Sequence, residues 1–71
     1  MTNAEIINNL RTYCNDLLSY AHMTTENAKR YYDQAFGAAE FAIWEHSELF
    51  KEIDKMWSGF RAEFETIIYG G

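Results

Sequence analysis

The chain has 71 residues, of which 48% are hydrophobic, 17% aromatic and 24% charged, and it contains no proline. This composition excludes a disordered linker, a collagenous repeat and a proline-rich ligand, and the length predicts one small domain over residues 1–71. Eleven acidic residues against six basic ones give a net charge of −5, which disfavours nonspecific binding to nucleic acid or to anionic membranes.

The first helix is predicted over residues 3–22, because apolar residues recur there at spacings of three and four. Thr2 stands three residues before Glu5, which is the spacing of a capping box at a helix N-terminus. The apolar stripe of this helix comprises Ile6, Ile7, Leu10, Tyr13, Cys14, Leu17, Leu18 and Ala21.

A second helix is predicted over residues 25–46, with Thr24 or Thr25 as its N-cap. Its main apolar stripe is rich in alanine, which lets a neighbouring helix approach closely. The stripe comprises Ala28, Tyr32, Ala35, Phe36, Ala39, Ala42 and Ile43.

The third helix, predicted over residues 48–69, has the clearest periodicity, because its apolar residues fall within an arc of about 120°. These residues are Leu49, Phe50, Ile53, Met56, Trp57, Phe60, Phe64, Ile67 and Ile68. Gly70 and Gly71 follow the helix and predict a left-handed C-terminal end. We expect the shared core to contain Leu10, Leu17, Ile53, Trp57, Phe60 and Phe64.

The joint between the second and third helices has no glycine or proline, and Ser47 is its only predicted cap. A break at Ser47 gives three helices of nearly equal length, which predicts an all-α, three-helix up-down bundle. The alternative is a helical hairpin with one unbroken helix about 65 Å long, which would have to dimerise to cover its apolar stripe.

No catalytic or cofactor-binding pattern is evident. Cys14 is the only cysteine and lies on the apolar side of the first helix, where a thiol behaves as a small buried hydrophobe and not as a nucleophile. We therefore expect no enzyme activity, no cofactor and no metal. His46 is interpreted as a helix-end or half-buried side chain. The single cysteine and the polar start predict a cytoplasmic protein, and no apolar run is long enough to span a membrane.

The most informative group is a second apolar surface on the second helix. Gly37, Phe41 and Trp44 are spaced by four and three residues, but they lie opposite the alanine stripe. Two large aromatic residues outside the main stripe predict a protein interface, with Glu45 and Glu48 at its edge.

The sequence therefore predicts a small noncatalytic helical module that binds another protein or itself, most simply as a two-fold homodimer. One alternative is an acidic inhibitor that mimics nucleic acid, since seven acidic residues follow position 37. A third possibility is a DNA-binding regulator. It rests on a polar cluster at the start of the second helix, comprising Thr24, Thr25, Asn27, Lys29 and Arg30.

Overall fold

Three helices that pack against one another form the molecule. The computed structural model describes residues 1–70, in which α1 spans Asn3–Met23, α2 spans Ala28–Glu45 and α3 spans Phe50–Tyr69. Each helix contacts both others, and residues 1–70 contain no strand. The bundle measures 37 × 17 × 15 Å, so α1 and α3 run parallel and α2 runs antiparallel to both. The predicted three-helix bundle is confirmed, and the single long helix is wrong.

The start of α1 is held by the predicted capping box. The Glu5 backbone N–H donates to Thr2 Oγ1 at 3.2 Å, and the Thr2 backbone N–H donates to Glu5 Oε1 at 3.1 Å. These bonds satisfy donors that the first turn of a helix leaves free. Hydrogen bonds from the Thr2 backbone N–H and then from its hydroxyl lower the pKa of the Glu5 carboxyl, because they favour its ionised form.

The two joints between helices have the same geometry. Thr24 and His46 each leave the helical conformation, with φ near −130° (−133° and −130°), and each donates its N–H to the carbonyl four residues back at 2.8 Å. One 3₁₀ turn follows in each case, over Thr25–Asn27 and Ser47–Leu49. The chain reverses twice without glycine or proline, because the short 3₁₀ turns lead directly into the next helix.

The predicted caps after the first helix are wrong in detail. The side chains of Thr24, Thr25 and Ser47 make no N-cap hydrogen bond to α2 or α3, which begin later in the chain than a cap at any of these residues would place them. Gly70 follows α3 in a right-handed conformation, with φ of −89°, so the predicted left-handed end is also wrong at this residue. Gly71 lies outside the described residues.

The core runs along the axis between the three helices. Small side chains from α2 face large ones from α1 and α3, which allows the helix backbones to approach closely. An aromatic cluster joins α2 to α3: the ring centroid of Tyr32 lies 5.7 Å from Trp57 and 5.8 Å from Phe64. The buried apolar residues are Leu10, Cys14, Leu17, Leu18, Ala21, Ala28, Ala35, Ala39, Leu49, Ile53, Trp57 and Phe64.

Some residues predicted to be apolar contacts are less buried than the pattern indicates. Phe60 is only partly buried, and Phe50 and Tyr13 are about half exposed. Phe50 and Tyr13 lie at the edges of their stripes, about 60° from Ile53 and about 100° from Cys14 around the helix axis. Periodicity places a residue on a face, but the neighbouring helix decides how far the burial extends.

No helix within residues 1–70 combines the length and the apolar character needed to cross a lipid bilayer.

Candidate functional site

The outer face of α2 presents two large aromatic side chains to solvent. Trp44 is 85% exposed and Phe41 is 61% exposed. They are three residues apart in one helix, so their side chains are neighbours on the same face. The two residues therefore form one apolar patch. Although α2 is the middle helix of the bundle, its contacts with α1 and α3 do not bury either residue.

Gly37 extends this patch by one helical turn towards the start of α2. A Cβ atom added at Gly37 would meet nothing within 4 Å, and no glycine among residues 1–70 has a positive φ. Neither close packing nor backbone conformation therefore requires glycine at this position. Its absence of a side chain exposes the α2 backbone beside Phe41, which leaves room for the approach of another molecule. We call Gly37, Phe41 and Trp44 the aromatic surface.

Carboxylates flank the aromatic surface. Glu40, Glu45 and Glu48 are all exposed, and none forms an ion pair with a lysine or arginine within residues 1–70. The Glu48 carboxylate lies 3.9 Å from Nδ1 of the half-buried His46, at the end of α2. The Glu48–Lys51 pair that the helical spacing allows does not form. The surface thus combines apolar side chains with uncompensated negative charge.

A second surface, which sequence reasoning missed, is a groove between the first half of α1 and the part of α3 that ends at Glu63. It is open to solvent and has a volume of about 960 Å³. Its apolar part includes the buried Leu49 and the partly buried Ile7, Met56 and Phe60. We call it the α1–α3 groove. The full set of lining residues is Asn3, Ala4, Ile7, Asn8, Arg11, Leu49, Glu52, Lys55, Met56, Gly59, Phe60 and Glu63.

The position of Gly59 was the one sequence signal that could have indicated this groove. Gly59 lies within α3 beside the apolar arc, and a Cβ atom added there would also meet nothing within 4 Å. Charged side chains of both signs line the groove: Arg11 and Lys55 are cationic, whereas Glu52 and Glu63 are anionic. Neither Arg11 nor Lys55 forms an ion pair within residues 1–70.

Cys14 belongs to the core. Its side chain is fully buried, and burial raises the pKa of the thiol from 9.0 to about 11. A thiol with this pKa stays protonated near neutral pH, whereas reactive cysteines have depressed pKa values. Within the described part of the chain, no three His, Cys, Asp or Glu side chains are placed to hold a metal ion.

Comparison of the chain with protein families, with curated proteins and with solved structures finds no match.

Proposed function

We propose that this protein is a small noncatalytic interaction module that binds another protein through the aromatic surface. The observation that carries the proposal is the pair of adjacent aromatic side chains on the outer face of α2, with Trp44 85% exposed. Exposed apolar patches of this kind mark interaction sites, and tryptophan is enriched among the residues that dominate binding energy.

Burial of the pair would supply useful binding energy. Removing one large apolar side chain from water contributes about 1.5 to 3 kcal/mol, and both Phe41 and Trp44 make this contribution available. Some other exposed apolar residues offer less, because they already pack against a neighbour. Tyr20, for example, lies against Tyr31 with ring centroids 5.9 Å apart.

The flanking charges define the chemistry of the partner. A partner that covers the aromatic surface must accept two aromatic side chains and must also face Glu40, Glu45 and Glu48. An apolar pocket or groove with lysine or arginine at its rim satisfies both requirements. A second copy of this chain is the simplest such protein, and homo-oligomers are common among soluble proteins.

The test compares Trp44→Glu with the matched control Tyr69→Glu. Tyr69 is 77% exposed and is the last residue of α3, away from the aromatic surface. We expect Trp44→Glu to lower the mass seen by light scattering, or to abolish capture of a partner from native cells. Tyr69→Glu should do neither, and both variants should keep native helicity by circular dichroism. Unchanged mass and unchanged capture with Trp44→Glu would contradict the proposal.

The distribution of carboxylates favours a second candidate, an acidic inhibitor that occupies a basic groove on a nucleic-acid-binding protein. No Asp or Glu among residues 1–70 is buried, and Arg61–Glu65 is the only ion pair with a lysine or arginine there, at 3.3 Å. Salt separates the two candidates. A complex made by charge mimicry weakens steeply as ionic strength rises, whereas one anchored by Phe41 and Trp44 weakens much less, because only the charges at its rim are screened.

A further inference from the structure

The aromatic surface and the α1–α3 groove lie on opposite sides of the molecule. The aromatic surface faces away from both α1 and α3, and the groove opens between those two helices. Both lie at the same end of the bundle, because the C-terminal half of α2 runs beside the N-terminal halves of α1 and α3. One surface projects aromatic side chains and the other is concave.

A two-fold contact between two aromatic surfaces opposes like charges when the paired α2 helices meet at Gly37, where the lack of a side chain allows the closest approach. In an antiparallel α2–α2 pair centred on Gly37, Asp33 and Glu40 lie on the same side of Gly37. They are rotated from it by about 40° and about 60° around the helix axis. They also lie about 5 Å to either side of Gly37 along the helix axis. Asp33 of one copy would therefore face Glu40 of the other, which disfavours the pair.

We propose instead that the aromatic surface of one copy docks in the α1–α3 groove of a second copy. This inference rests on the proposed function, because it names the partner of the same surface. Phe41 and Trp44 would contact the apolar floor formed by Ile7, Met56 and Phe60. The floor is only partly buried within one molecule, so docking removes further apolar area from water on both sides.

Shape and charge both favour this occupant. The open groove has a volume of about 960 Å³, which gives room for two aromatic side chains, and Gly59 leaves open space at its α3 wall. Arg11 and Lys55 are available to Glu40, Glu45 and Glu48 of the docked copy. Glu52 and Glu63 balance these cations, so the groove is neutral where a second aromatic surface would be negative.

The contact is heterologous, which fixes how the assembly grows. Each docked pair keeps one free aromatic surface and one free groove, so further copies add to both ends. The native chain should therefore pass through dimers to larger species as its concentration rises. A two-fold contact would stop at the dimer.

Two variants each block one surface. Trp44→Glu removes the main aromatic anchor, with Tyr69→Glu as its control. Gly59→Glu fills the groove and adds a negative charge, with Ser58→Glu as its control, because Ser58 is exposed beside Gly59 and does not line the groove. Sedimentation velocity over a wide concentration range should show native-like growth for both controls. Trp44→Glu and Gly59→Glu should each weaken association by about tenfold or more, leaving mainly monomer at concentrations where the native chain assembles.

An equimolar mixture of the two blocked variants is the decisive arm. The intact groove of Trp44→Glu can accept the intact aromatic surface of Gly59→Glu, and this pair has no further docking sites. We expect the mixture to form a one-to-one dimer with native-like affinity and nothing larger. Circular dichroism of each variant checks that the loss of association is not a loss of fold. Should Trp44→Glu or Gly59→Glu unfold, Trp44→Ala or Gly59→Gln takes its place.

The outcomes separate this inference from the proposed function. If Gly59→Glu associates like the native chain while Trp44→Glu does not, or if the mixture stays monomeric, head-to-tail docking is overturned and the aromatic surface still binds protein. A native chain that remains monomeric at millimolar concentration also overturns the docking, while capture of a partner that is lost in Trp44→Glu keeps the proposed function. If neither native association nor partner capture responds to Trp44→Glu, both are overturned.

Discussion

The two faces of α2 reverse the usual relation between side-chain size and burial. The inner face buries alanines at positions 28, 35 and 39, whereas the outer face exposes Phe41 and Trp44. In α3 the relation is ordinary, because Ile53, Trp57 and Phe64 are its buried residues.

The difference between the faces shows that the space between helices, and not hydrophobicity alone, decides which residues of α2 are buried. Alanines on the inner face allow α1 and α3 to approach α2, so that the large side chains of those helices fill the core. Trp44 adds little to the packing of the fold because it is 85% exposed, and Phe41 is mostly exposed as well. An isolated bundle would lose little packing without them, which is why we propose that they serve binding.

Truncating one buried and one exposed aromatic side chain should produce the largest contrast in stability. Phe64 is fully buried, so Phe64→Ala should lower the free energy of unfolding by about 3 to 5 kcal/mol. Trp44→Ala should change it by less than about 0.5 kcal/mol, measured on the monomer by urea denaturation. Comparable losses at the two positions would mean that Trp44 supports the fold.

The core that α2 helps to form should also respond to alkaline pH through Cys14. The folded protein holds the thiol proton up to about pH 11, whereas the unfolded chain releases it near 9.0. Because the unfolded state then binds fewer protons, the free energy of unfolding should fall as pH rises through this interval, by about 3 kcal/mol in total.

Cys14→Ala provides the baseline for this effect, since it removes the thiol and keeps the other titrating groups. Urea denaturation between pH 8 and pH 11 measures the difference in unfolding free energy between the two chains, across the interval in which the thiol is protonated in the folded state and ionised in the unfolded state. Parallel pH profiles would show that Cys14 is accessible to water and that the core around it opens readily.

Adding side-chain volume to α2 should have smaller effects of opposite sign on its two faces. Ala39→Leu inserts a larger side chain into close-packed space and should cost about 1 to 3 kcal/mol. Gly37→Ala adds a methyl group where there is open space, and it should stabilise the monomer by about 0.5 to 1 kcal/mol because alanine favours the helix. Thermal unfolding of both variants measures these changes in stability. Stabilisation by Ala39→Leu would contradict the close approach of the helices.

Much of the fold follows from periodicity. The three helices, the capping box at Thr2 and buried residues such as Leu17 and Trp57 were predictable, because each depends on spacing within one segment. The caps at Thr24 and Ser47 were wrong because backbone 3₁₀ turns replace side-chain caps, and sequence does not distinguish these two ways of starting a helix.

The aromatic surface and the α1–α3 groove also differ in how far the sequence predicts them. The aromatic surface was predictable because Gly37, Phe41 and Trp44 share one face of a single helix, in opposite phase to the alanines. The α1–α3 groove was not, since it depends on how far α1 and α3 separate at one end of the bundle. Phe60 illustrates the consequence: periodicity assigned it to the core, but it lines the groove and is only partly buried.

The central claim is that the outer face of α2 is a protein-binding surface, and the emission of Trp44 tests it most directly. The chain has two tryptophans, so Trp57→Phe leaves Trp44 as the only indole, provided that circular dichroism shows a native fold. If copies of the chain cover Trp44, its emission should be blue-shifted at high concentration and should move to the red on dilution, as the exposed indole enters water. Emission that is red at every concentration, together with partner capture that Trp44→Glu leaves unchanged, would contradict the claim.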